Sequence, residues 1–78
     1  MEENAIRLSQ LPTGTRAVIK SHEESDFQLT LMEMGCIPGE MITVEKIAPF
    51  RDPISIVVAG YRLSLRLNEA EHVLVEDI

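Results

Sequence analysis

Tryptophan is absent from this chain, and the aromatics amount to Phe27, Phe50 and Tyr61. A core must therefore be built from Ile, Leu, Val and Met. An aromatic-lined groove of the kind that grips proline-rich peptides lacks most of its materials. The single cysteine, Cys36, excludes an intramolecular disulfide and fits a reducing compartment. Cations are also scarce: seven Lys and Arg stand against thirteen Asp and Glu, a net charge of −6. That balance argues against a phosphate backbone and against a grip on anionic lipid, since both depend on clustered cations. No apolar run approaches the roughly 20 residues that cross a bilayer. The start, Met1-Glu2-Glu3-Asn4, lacks the basic and apolar segments of a secretory signal. A soluble cytoplasmic protein is the expectation.

Chemistry-bearing patterns are missing as well. There is no nucleophile elbow, phosphate loop or zinc-protease motif, so no enzyme activity is expected. Cys36, His22 and His72 match no metal-ligand spacing and fall on different elements. Neither a metal nor a cofactor site is therefore expected. Cys36 reads as a small buried hydrophobe. His22 and His72 read as solvent-facing residues at element ends.

What is present is a series of short strand signals around one helix. Leu8 to Leu11 is a short apolar turn ending at Pro12. In 15–20, Ala17 and Ile19 alternate with Arg16, Val18 and Lys20. Ser25 suits a helix N-cap, with Gln28 at capping-box spacing and Asp26 near the positive end of the dipole. Phe27, Leu31 and Met34 form one stripe of that helix. Gly35 ends it in the left-handed conformation, and Pro38-Gly39 predicts a type II turn. Ile42 and Val44 then face inward, as do Ile54, Ile56 and Val58. Ala59-Gly60 predicts a tight hairpin, and Leu63, Leu65 and Leu67 alternate with Arg62, Ser64 and Arg66. Asn68 can cap a helical turn, with Glu71 at the matching position. Val73 to Glu76 is a last strand. The expected core comprises Ala17, Ile19, Phe27, Leu31, Ile42, Val44, Ile56, Leu63, Leu65 and Val73. About five short strands and one helix in 78 residues predict a mostly β fold, a small bent SH3-like barrel over 1–78 with short helical turns. Closing such a sheet would remove its exposed edges.

The segment 48–53 holds Pro49 and Pro53 around Phe50, Arg51 and Asp52, and reads as a loop. It fits a rigid connector and a recognition loop equally. Met32 lies off the helical stripe, where an exposed methionine suits adaptable binding surfaces.

The order of these elements carries a resemblance. Leu11-Pro12-Thr13-Gly14, then Leu31 through Gly39, Pro53-Ile54, Leu63-Ser64-Leu65-Arg66, Glu69-Ala70 and Val73-Leu74-Val75 follow one another as in the FeoA family. The likeness covers 8–75. Met34 stands where Leu is commoner and Cys36 where an aliphatic residue is usual. The resemblance implies an SH3-like fold and a cytosolic accessory of bacterial ferrous-iron uptake. Its implied partner is FeoB, the GTP-dependent membrane transporter of ferrous iron. Transition-metal binding or sensing and a generic peptide-binding SH3-like module stand as alternatives. On the accessory reading, the expected partner-binding residues are Met32, Pro49, Phe50, Arg51, Asp52 and Pro53. Arg51 would be the polar anchor, since Arg is favoured at interfaces.

Overall fold

Alternating apolar residues build the sheet. In the computed structural model, which describes residues 6–77, six antiparallel strands form: β1 (Ile6–Arg7), β2 (Arg16–His22), β3 (Met41–Ile47), β4 (Ile54–Val58), β5 (Tyr61–Leu65) and β6 (Val73–Asp77). Their spatial order is β1-β6-β2-β3-β4-β5. Helices α1 (Gln28–Glu33) and α2 (Leu67–Ala70) join them, with 3-10 turns at Leu8–Gln10 and Pro49–Arg51. This is the mostly β, SH3-like architecture expected, with β1 added.

Two bulges bend the sheet. Lys20 is an extra residue in β2 against β6, and Glu45 is an extra residue in β3 against β4. Bulges of this kind raise the local twist and let few strands curl around one core. The inward rows meet as drawn from the sequence. Ala17, Ile19, Ile42, Val44, Ile54, Ile56, Val58, Leu65, Val73 and Val75 are all buried. Leu31 from α1 and Cys36 close one side of the core, while Leu8, Leu11 and Ala70 close another. Phe27 and Leu63 pack against this cluster but are only partly buried.

Several expectations are revised. The ladder does not run full circle, because β1 and β5 are its two ends. Across that gap α2 packs on the Leu8–Gln10 turn. Ser25 does not cap α1 at capping-box spacing. Its hydroxyl accepts from the Phe27 amide at 3.2 Å, and the helix begins at Gln28. Met34 lies one residue past α1 and is exposed, so the stripe ends at Leu31. Leu67 belongs to α2 rather than to a strand. That helix is capped by Glu69, whose carboxylate accepts from the Arg66 amide at 2.8 Å, and not by Asn68.

Glycines hold the corners. Gly35 and Gly39 have φ of +109° and +98°, so both left-handed positions read from the sequence are present. A Cβ on Gly35 would lie 3.7 Å from the Ala59 Cβ, which places the end of α1 against the β4–β5 hairpin. That hairpin turns on Ala59 and Gly60, both at positive φ, between the paired Val58 and Tyr61.

Candidate functional site

The five loop residues predicted to meet a partner lie together. Ala48 is extended, Pro49 opens a 3-10 turn, and Phe50 and Arg51 both take positive φ, 63° and 61°. Two successive non-glycine residues in this region cost of order 1–3 kcal/mol each and persist only where their surroundings hold them. The surroundings here are specific. The Arg51 amide donates to the Ala48 carbonyl at 2.8 Å, and the Ala48 amide to the Pro53 carbonyl at 3.1 Å. The Arg51 guanidinium reaches back to the Leu8–Gln10 region, where Nη2 donates to the carbonyls of Ser9 and, at 3.1 Å, Leu11. Asp52 accepts from the Leu67 amide at 3.2 Å and pairs with Arg66 at 3.1 Å. The Asp52–Pro53 peptide is cis.

The loop is therefore fastened by Arg51 on one side and Asp52 on the other. Phe50 at its tip is 95% exposed. Pro49, Arg51 and Pro53 are exposed as well, but Arg51 spends Nη2 within the fold, so Phe50 is the large apolar group this loop presents outward. Met32 is half-buried on α1, and no hydrogen bond joins α1 to the loop among the described residues. The predicted set thus comprises a fastened loop and a helix position that no hydrogen bond links to it among the described residues.

A second constellation gathers residues the sequence left apart. His22 Nε2 donates to the Cys36 carbonyl at 2.7 Å, while Nδ1 is buried and has no hydrogen-bond partner among the described residues. The His72 ring lies 6.2 Å from the Phe27 ring, tilted by 53°, and its Nδ1 donates to the Asn68 carbonyl at 2.7 Å. Both histidines are half-buried, which corrects their placement in solvent. Each is drawn in by a carbonyl that the fold leaves facing it. Cys36 is fully buried, as expected. Burial, with a smaller contribution from Glu69, pushes its thiol up to about 11. It is thus a neutral thiol at physiological pH, a poor nucleophile and a poor soft-metal ligand. Among the described residues, no three His, Cys, Asp or Glu side chains converge as metal ligands would.

Arg7 closes this side of the molecule. It grips Glu23 at 2.5 and 3.1 Å and donates to the Glu71 carbonyl at 2.6 Å. The hydrogen bond from Arg7 lowers the Glu23 carboxyl below its ordinary range, and the same bond raises Arg7. Open concavities lined mainly by polar side chains lie at this site, with Arg7, Ser9, Gln10 and Glu23, and elsewhere on β3–β5, with Glu45, Lys46, Ser55 and Arg62. Such hollows suit solvent or a partner's side chain better than an enclosed small molecule. Among the described residues no helix is long and apolar enough to cross a membrane.

A sequence model described as the FeoA domain matches residues 6–77. The chain belongs to the FeoA family. Its FeoA domain is 42% identical over 72 residues to the Fe(2+) transport protein A/Fe(2+) transporter FeoB fusion protein of Porphyromonas gingivalis. That match covers 91% of this chain and 8% of the relative, so the chain spans less than a tenth of the fusion protein's length. Among solved structures, a FeoA-like protein from Clostridium acetobutylicum superposes with a TM-score of 0.90 at 34% identity, covering 96% of this chain and 88% of that one. A zinc complex of Stenotrophomonas maltophilia FeoA, described as a prokaryotic SH3 domain protein, gives 0.82 at 31% identity, with 92% and 91% covered.

Proposed function

We propose that this FeoA domain is a cytoplasmic, non-catalytic accessory of ferrous-iron uptake that acts by contact with a FeoB-type transporter. One observation carries the reading. The match over 91% of the chain lies in a relative whose name joins transport protein A to FeoB in one polypeptide. Tethering makes an encounter intramolecular and raises the effective concentration of one part near the other, which benefits parts that work together. The physical features agree with this. The lack of a converging ligand set among the described residues and the neutral, buried Cys36 favour contact over metal chemistry.

The contact we propose includes the Pro49–Pro53 loop, with Phe50 as its apolar tip and the α1 surface near Met32 as a second point. A rigid loop loses little freedom on binding, so more of the contact energy is retained as affinity. The test is binding of the full chain to the detergent-solubilised FeoB-type transporter of its own source, read by biolayer interferometry. We expect saturable binding that weakens at least tenfold in Phe50→Ser. Absence of binding at high micromolar concentrations would reject the contact, and unchanged binding of Phe50→Ser would reject the loop.

A further inference from the structure

Exposed apolar side chains are not scattered over this molecule. Of the six large ones among the described residues, Leu29 (70% exposed), Met34, Ile37 and Met41 fall within 29–41, along α1, the turn after it and the first residue of β3. Tyr61 lies just past Ala59, the residue against which Gly35 packs. The stretch is firmly held. The Gly39 amide donates to the Ile19 carbonyl at 2.8 Å, and the Ile19 amide to the Glu40 carbonyl at 2.9 Å. The Glu40 amide closes the turn on Ile37 at 3.0 Å. An apolar patch kept in place on a rigid turn is the kind that marks an interface.

The segment of chain that carries it is anionic. Between Lys20 and Lys46 the chain has no Lys or Arg but carries Glu23, Glu24, Asp26, Glu33, Glu40 and Glu45. Arg7 neutralises Glu23 and Arg62 pairs with Glu45. Glu24, Asp26, Glu33 and Glu40 form no ion pair among the described residues. Among the described residues, Glu33 and Glu40 are therefore unpaired anions within the stretch, while Arg16 and Lys20 of β2 lie two residues either side of Val18, the cross-strand partner of Met41. A second copy of this chain would bring one net charge of −6 against another. An anionic lipid surface would be repelled in the same way.

Resting on the accessory reading, we propose that the 29–41 face docks a basic amphipathic segment of a protein partner. Apolar side chains would cover Leu29, Ile37 and Met41, with flanking Lys or Arg answering Glu33 and Glu40. Short cytoplasmic segments of membrane proteins carry an excess of Lys and Arg, so a transporter offers such a segment at its inner surface.

The test uses the 15N-labelled full chain and three synthetic 18-residue helices: Leu/Lys, Leu/Glu and Ser/Lys. The Leu/Lys peptide should shift amides within 29–41, while the other two leave them unmoved. Glu33→Lys with Glu40→Lys, and separately Ile37→Ser with Met41→Ser, should each weaken Leu/Lys binding at least tenfold. Phe50→Ser should leave it unchanged. Equal binding of Leu/Glu would reduce the face to simple stickiness and overturn the proposal. Equal binding of Ser/Lys would reduce it to charge alone, with the same consequence. Binding of the chain to phosphatidylglycerol vesicles through this face would overturn it too, as would a dimer in sedimentation that Met41→Lys dissolves. The charge-reversed variant is then tried on the transporter. Retained binding there overturns the docking face and leaves the accessory role standing. Failure of the wild type to bind the transporter rejects the accessory role, while the peptides decide the face.

Discussion

Gly39 has a φ of +98° and nothing within 4 Å of the place a Cβ would occupy. Substitution there meets no steric wall, so its cost is purely conformational. Gly39→Val should lose about 1–3 kcal/mol in urea unfolding, the range for a strained backbone residue. Cys36 allows a test of the opposite kind, through burial. Its thiol ordinarily titrates at 9.0 and is pushed up to about 11 in the fold. The folded state holds the proton that the unfolded chain releases, so stability is intact below pH 9 and falls as pH rises from about 9 to 11. Cys36→Val should flatten that part of the stability profile relative to wild type. An unchanged slope would show that the thiol reaches water. Both positions were legible in the sequence, one from a Pro-Gly turn and one from an apolar neighbourhood. The left-handed pair at Phe50 and Arg51 was not, because Arg51 is held by carbonyls some forty residues away.

The strands were readable where alternation ran for several residues, as in 54–58 and 61–65, since period two leaves one face to bury. Strand β1 was not readable. It has two residues and exists only because Ile6 and Arg7 find Val75 and Leu74 on β6. Local capping was misread for a related reason. Asn68 fits a cap by type, yet α2 starts one residue earlier, and Asp52 supplies the Leu67 amide from fifteen residues away. Magnitudes separate the two roles of Asp52. Its pair with Arg66, whose side chain is 71% exposed, is worth about 0–1 kcal/mol. Loss of the bond to a helix-start amide costs about 0.5–2 kcal/mol. Asp52→Ala should therefore destabilise by about that larger amount, and Asp52→Asn by less, in paired denaturation curves. Within β5, Leu65 is fully buried opposite Ile54. Leu65→Ala should cost about 2–5 kcal/mol. At this size that lowers the melting temperature by at least about 10 °C.

The whole molecule is an acidic barrel with a fastened loop at one place and exposed apolar side chains along 29–41. Its family was legible from the order of small motifs along 8–75, because turn chemistry and strand spacing together specify a fold more tightly than any one motif. The candidate surface was only half legible. Phe50 stands out as expected, and Met41 reads from its type as either core filler or binding surface, but Leu29 and Ile37 raised no signal, since an apolar residue beside a helix or turn ordinarily reads as core. Exposure is a property of the assembled fold, and it appears only once α1 is laid against the hairpin. The central claim, that this FeoA domain serves ferrous-iron uptake through contact, is met most directly by radiolabelled ferrous-iron uptake in cells of its source from which the protein has been deleted. Uptake should fall at least severalfold, return with the wild-type protein, and fail to return with Phe50→Ser combined with Glu33→Lys and Glu40→Lys, provided that variant accumulates and folds. Full uptake in the deleted cells would contradict the account.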